Sequence, residues 1–323
     1  MDAKTREAGQ AAPLLESPGW PFPPGTTAVW YEGVDGKPMR AAFAPAQNPR
    51  GSVVLSPGRS EPIEKYVEVV GELVQRGFSV LVHDWRGQGR SSRLRPDRLK
   101  GHADGFADFV EDFRLLIARF DAQLPHPRIA IGHSMGGCLT LTILAKGIGD
   151  FDAGMLSAPM LGLNTGKTPA PLVRIAARLL TAIGRGGDYL LGQVTDPYAT
   201  TFEADQLTHD RARYQRTREQ ILADRDLALG NLTWGWLNSA FRAVDWLHTA
   251  PEVTRIRIPL VVLAAELDRL VLNADSRAVT ARVPGGRYLL VAGAFHEILM
   301  ETDEIRAQFW RAFDQLAAQV ATK

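Results

Sequence analysis

The run Arg128-Ile129-Ala130-Ile131-Gly132-His133-Ser134-Met135-Gly136-Gly137-Cys138, continuing as Leu-Thr-Leu-Thr-Ile-Leu-Ala to Ala145, decides the fold. A short apolar β-run leads into Gly-x-Ser-x-Gly, and a small-residue helical pattern leaves it. Strand, sharp turn, helix is the order that holds a serine in a strained backbone and lifts its hydroxyl clear of a sheet. Glycines on both sides let strand and helix approach closely enough to make the turn. Ser134 is therefore the predicted nucleophile. A bare Gly-x-Ser-x-Gly also occurs as a plain glycine-rich turn, and the flanking strand and helix are what separate the two readings.

Working outward, strands and helices alternate. Ser52 to Leu55 and Ser79 to Val82 read as strands, and Ile63 to Arg76 and Gly105 to Phe120 as helices. Ala153 to Leu156, Leu260 to Ala264 and Arg287 to Val291 are further short apolar strands, and a last helix runs from Asp303 to Val320. Before them, Thr27 to Tyr31 and Met39 to Phe43 pair through Gly33-Val34-Asp35-Gly36. Short, continuously apolar strands between helices predict an α/β fold with a mostly parallel central sheet flanked by helices. The alternation stops over residues 160–255, which are helical in pattern. That stretch is expected to be a cap inserted into a core of residues 27–159 and 256–323. Residues 1–26 form an irregular lead ending in Pro21-Phe22-Pro23-Pro24-Gly25.

Composition narrows the class further. The 323 residues are 45% apolar and 23% charged, with a net charge of +1. That is an ordinary globular balance, with no bulk signal for nucleic acid. The single cysteine, Cys138, excludes an internal disulfide and a thiolate zinc cluster, and reads as a small buried packing residue. No metal-ligand spacing of the His-Glu-x-x-His type occurs. Gly87-Gln88-Gly89 lacks the third glycine and the following helix of a dinucleotide loop, so it reads as a turn beside the site. No cofactor is expected. There is neither a signal-peptide pattern nor an apolar run long enough to span a bilayer, which predicts a cytoplasmic protein.

A serine hydroxyl needs a base to take its proton, and the base needs a third group to orient it. Of seven histidines, only His296 follows a late strand through a glycine-containing loop and precedes the last helix, which makes it the predicted base. The acid should follow Leu260-Val261-Val262-Leu263. Asp268 is the better placed, and Glu266 competes with it. The oxyanion formed on attack needs N–H donors already in position. Met135, the residue after the serine, supplies one. Arg59, in the loop Ser56-Pro57-Gly58-Arg59-Ser60-Glu61, is chosen for the other.

Gly-His-Ser-Met-Gly-Gly, that loop, His83-Asp84-Trp85-Arg86-Gly87-Gln88-Gly89-Arg90-Ser91 and Phe295-His296-Glu297-Ile298-Leu299-Met300-Glu301 resemble the monoacylglycerol lipase and bacterial lysophospholipase group of the α/β-hydrolase superfamily. The resemblance spans about residues 27–318, is weakest in the cap, and implies cofactor-free hydrolysis of acyl esters. Pro57 and Ser60 stand where the lipase branch has the ends of His-Gly-x-Gly. In the cap, Trp234 and Trp236 are the candidates to line the substrate pocket, and holding the cap together is the plainer reading of any one aromatic there. Leu172, Val173, Ile175, Ala176, Leu179, Leu180 and Ile183 form one apolar face flanked by Arg174, Arg178 and Arg185. A helix packing that face inward is the plainer reading, and docking on anionic lipid is its rival. The expected substrate is a small acyl ester or lipid. A short-chain carboxylesterase or thioesterase is the alternative enzyme, and a hydrolase-fold binding protein the alternative outside catalysis.

Overall fold

The computed structural model describes residues 7–190, 201–205 and 207–321. The strands are β1 (Thr27–Glu32), β2 (Pro38–Ala44), β3 (Gly51–Ser56), β4 (Phe78–His83), β5 (Arg128–His133), β6 (Ala153–Ser157), β7 (Leu260–Ala265) and β8 (Arg287–Val291). They form one sheet in the order β1-β2-β4-β3-β5-β6-β7-β8. The β1–β2 and β2–β4 pairs are antiparallel and the rest parallel. β3 to β7 are buried along their whole length, which is why they read as unbroken apolar runs rather than alternating ones. The hairpin predicted at Gly33–Gly36 closes through a single tight turn over Val34–Gly36, with Asp35 in the left-handed region at φ 59°. The lead is irregular as expected, yet it is not idle. Gly9 and Ala12 donate N–H groups to the C=O of Trp30 and Ala28, covering the free edge of β1.

Helices lie on both faces: α1 (Val67–Gln75), α2 (Ala107–Phe120), α3 (Met135–Ala145), α8 (Asn273–Thr280) and α9 (Asp303–Ala321). Val67, Val70 and Leu73 give α1 its buried face, and the chain leaves it through Gly77, whose φ of +83° reverses the backbone into β4. Between β6 and β7 lie α4 (Ala170–Ala182), α5 (Phe202–Asp205), α6 (Arg211–Ala223) and α7 (Trp234–Thr249), the helical insertion, with no strand among its described residues. Charge ties this insertion to the core. Arg213 of α6 pairs with Glu68 of α1 at 2.5 Å and Asp303 of α9 at 2.6 Å, and Arg216 pairs with Glu68 at 2.9 Å.

Register aligns the strand ends that matter. Ser56 of β3 pairs with Gly132 of β5, His133 with Ser157 of β6, and Ser157 with Leu263 of β7. The loops that follow β3, β5 and β7 therefore leave the sheet at the same edge. In an open parallel sheet that edge is where sites form.

Candidate active site

Ser134 is the turn residue between β5 and α3, at φ 51° and ψ −118°. A non-glycine residue in that region is strained, and the strain is what aims the hydroxyl away from the sheet. The turn is paid for by Gly136, where any side chain would strike the C=O groups of Ser56 and Pro57. The same close approach brings the β3 loop against the start of α3.

His296 follows β8 and is buried. Its Nε2 lies 2.9 Å from Ser134 Oγ and its Nδ1 2.7 Å from Asp268 Oδ2. Asp268 uses its two oxygens separately. Oδ1 accepts the N–H groups of Leu270 and Val271, at 2.8 and 3.0 Å, which fixes the turn after β7. Oδ2 is left for the histidine. The Asp268 side chain has 0% exposure. Burial works against its charge, but the hydrogen bonds from His296, Val271 and Leu270 outweigh it and hold the carboxyl below the usual aspartate value. Glu266, the competitor, is turned elsewhere: its Oε2 accepts the Gly293 N–H at 2.8 Å. The histidine loop is braced by Glu301, fully buried, which accepts the Phe295 N–H at 2.7 Å and meets His209 Nδ1 at 2.9 Å.

The β3 loop is clamped on three sides. Trp85 Nε1 donates to Pro57 C=O at 2.7 Å, the Gly58 N–H donates to Glu61 Oε2, and the Ser60 N–H donates to Gln88 Oε1 at 2.5 Å. The Arg59 N–H between them has no acceptor among the described residues, and neither has the Met135 N–H at the first turn of α3. Two free donors beside a serine hydroxyl are what an oxyanion requires. Glu61 is itself held. Lys65 Nζ sits 2.7 Å from Glu61 and 2.5 Å from Glu297, and Tyr66 Oη donates to Glu61 at 2.6 Å. Burial opposes its charge, yet Lys65, His133 and Tyr66 bring the Glu61 carboxyl down to about 2.

These groups face a cavity of about 840 Å³, lined by Ser134 and His296 and by apolar side chains including Leu172, Val173, Trp234 and Trp236. That volume falls within the ~300–1,000 Å³ typical of small-molecule sites. Ser–His–Asp geometry, waiting N–H donors and an apolar chamber together suit acyl transfer.

Comparison with known proteins gives the family. A family model described as serine aminopeptidase, S33, matches residues 47–303. The chain belongs to this S33 family of α/β-hydrolases. It is 34% identical to the Escherichia coli protein named lysophospholipase L2, over 86% of this chain and 83% of that one. It is 29% identical to a Mycolicibacterium smegmatis monoacylglycerol lipase, over 85% and 91% of the two chains. A solved soluble variant of monoglyceride lipase from Saccharomyces cerevisiae superposes with a TM-score of 0.73 at 21% identity, covering 95% of this chain and 99% of the other.

Within this S33 chain, one expectation fails. The apolar face of α4 does not pack inward as a unit. Val173 and Ala177 turn inward, but Leu172, Ile175, Leu179 and Ile183 are 59%, 55%, 59% and 68% exposed. α7 packs against α4 and leaves these four side chains uncovered. No other histidine makes a hydrogen bond to Ser134 Oγ among the described residues. His133 meets Ser157 C=O at 3.1 Å, and burial pulls its pKa down to about 4. His102 meets Thr233 Oγ1 at 2.8 Å, anchoring the residue that caps α7. Glu61, Trp85 and Gln88 were not foreseen as loop clamps. Gln88 lay in a motif already singled out, but nothing local says that it reaches Ser60.

Proposed function

We propose that this protein is a serine ester hydrolase of single-chain acyl lipids. The observation that carries the reading is the hydrogen-bonded series Asp268–His296–Ser134 opening onto the apolar cavity. Ser134 Oγ attacks the ester carbonyl carbon while its proton passes to His296 Nε2. The new oxyanion is taken by the Arg59 and Met135 N–H groups. The intermediate collapses, the alcohol leaves with the proton from His296, and an acyl-Ser134 ester remains. Water, deprotonated by His296, repeats the sequence and frees the fatty acid. Asp268 keeps the imidazole in the correct tautomer and stabilises its cation.

Lipid is favoured over peptide by the cavity's charges. A free α-amine needs a carboxylate to receive it, and both carboxylates on the wall, Glu61 and Glu297, are committed to Lys65. Trp234 and Trp236 lie on the wall as acyl-chain contacts. Residues 160–255 act as the cap, and its α4 face as the surface that meets lipid. Around that face Lys167 and Arg178 add positive charge, while Arg174 pairs with Asp245 and Arg185 with Asp188. Leu172 belongs to both the exposed stripe and the cavity wall, so a lipid leaving an anionic surface has a continuous apolar route inward. No helix of the described residues is long and apolar enough to cross a membrane.

The test is a hydrolysis panel of lysophosphatidylcholine, monoacylglycerols and p-nitrophenyl esters of increasing length, with Ser134→Ala as the control. Preference for the single-chain lipids and loss of turnover in the control are the expected results. Turnover of short esters alone would make the protein a carboxylesterase. Unchanged turnover by Ser134→Ala would remove the triad from the reaction.

A further inference from the structure

Among the charged side chains of the cavity wall, Arg59 differs from the rest. It makes no ion pair with any described residue, whereas Glu61 and Glu297 share Lys65. Its Nη2 donates to a backbone acceptor, the C=O of Gly230, and its Nε is buried without any partner. The guanidinium lies against Gly101, where a side chain would collide with it, and its Cζ is 5.7 Å from the centre of the Trp236 ring. Burial without a counter-ion pulls its pKa down to about 10. An unpaired buried cation is costly to a protein, and a site that keeps one gains when an anion arrives. The fork of a guanidinium suits the oxygens of phosphate in particular.

We infer that the Arg59 side chain is the anion subsite of the cavity, receiving a phosphate ester carried by the substrate's alcohol portion. This rests on the ester-hydrolase reading above and adds the head-group chemistry to it. Covalent structure makes the two contacts compatible. In a 1-acyl glycerophosphate, as many bonds separate the ester carbonyl carbon from phosphorus as separate the Arg59 backbone nitrogen from Cζ. Equal reach allows one residue to turn its N–H to the developing oxyanion and its guanidinium to the phosphate. The Gly230 C=O, the Trp236 ring and Gly101 all lie against the guanidinium and keep it in place. A monoacylglycerol, which has no phosphate, leaves the cation unpaired and forgoes this contact.

Two measurements on the full-length protein test the subsite. The first is competitive inhibition of p-nitrophenyl butyrate hydrolysis by glycerol 3-phosphate and by inorganic phosphate, in the parent, Arg59→Gln and Arg59→Lys. The second is the ratio of kcat/KM on a 1-acyl glycerophosphate to kcat/KM on the monoacylglycerol of the same medium-length chain, each below its micelle concentration. Arg59→Gln should raise the inhibition constant of glycerol 3-phosphate by roughly 10-fold or more, and lower the kcat/KM ratio by a similar factor. Arg59→Lys should fall between, because it keeps the charge and loses the fork. Tighter inhibition by glycerol 3-phosphate than by inorganic phosphate would assign the subsite to a lipid head group, and equal inhibition would assign it to phosphate as such. An unchanged inhibition constant, or equal losses on both lipids at an unchanged ratio, would overturn the inference. Fluorophosphonate labelling of Ser134 in each variant shows that the site is still assembled. Should the parent cleave neither lipid while glycerol 3-phosphate still competes through Arg59, the lipid reading falls and the subsite stands.

Discussion

Glu61→Gln isolates the loop clamp from the reacting groups. The carboxylate accepts on both oxygens: Oε2 from the Gly58 N–H and the Tyr66 hydroxyl, Oε1 from Lys65 Nζ. An amide keeps one acceptor oxygen and turns the other position into a donor. Facing its oxygen to Gly58 sets an NH2 against the Lys65 ammonium. Facing it to Lys65 sets the NH2 against the Gly58 N–H. Either way a buried donor meets a buried donor, which costs about 1–3 kcal/mol. Lys65 retains Glu297, so the full penalty of an isolated buried charge is avoided. The neighbouring peptide carries the Arg59 N–H. Deleting an oxyanion donor outright lowers kcat by ~10²–10³. Here the donor is loosened rather than deleted, so a fall of about 10- to 100-fold is expected, equivalent to ~1.4–2.7 kcal/mol in the barrier. It should appear in kcat with KM little changed, because the oxyanion exists only beyond the ground state. The assay is steady-state cleavage of p-nitrophenyl butyrate beside urea unfolding. A lowered urea midpoint with kcat within about twofold of the parent would show that Glu61 supports the fold and not the oxyanion loop.

Three further outcomes are expected. Asp268→Asn keeps the shape but offers His296 an NH2 or loses the ionic partner, so kcat should drop on the order of 10⁴-fold with the fold intact by circular dichroism; a loss under tenfold would point to another acid. His83 and His133 are buried, and burial lowers their pKa values to about 3 and about 4 from 6.5. Between those values and 6.5 the unfolded chain binds protons that the folded one refuses, so stability must fall as pH drops below 6.5, by on the order of 2 kcal/mol per histidine at pH 5. Glu61 adds its loss only below about 4.5, as pH falls toward its folded value of about 2. A urea midpoint that stays level between pH 6.5 and 5 would contradict this. Replacing Ile175, Leu179 and Ile183 together by serine should reduce co-sedimentation with phosphatidylglycerol vesicles and leave short-ester hydrolysis near the parent rate; equal sedimentation would remove α4 as the lipid-facing surface.

What the sequence made legible follows the range over which each signal acts. The nucleophile turn is local: strand, Ser134 and helix are consecutive, and the glycines mark where backbones touch. His296 and Asp268 were legible because each follows an apolar strand at the point where a parallel sheet delivers its loops to one edge. The clamp on Ser60 was not, because Gln88 comes 28 residues later. It arrives only because β4 crosses back to lie beside β3, an adjacency that no single stretch encodes. Asp84 completes that arrangement: Arg40, paired with it at 2.7 Å, holds it where its oxygens accept the N–H groups of Ile63 and Arg90. The stripe on α4 failed for a different reason. Periodicity reports that apolar residues share a face and is silent on whether anything covers that face. In this chain α7 takes the Val173 and Ala177 side and leaves Ile175, Leu179 and Ile183 to the outside. A stripe left uncovered in this way is better suited to a lipid surface than to a core, so this helix and the proposed substrate rest on the same residues.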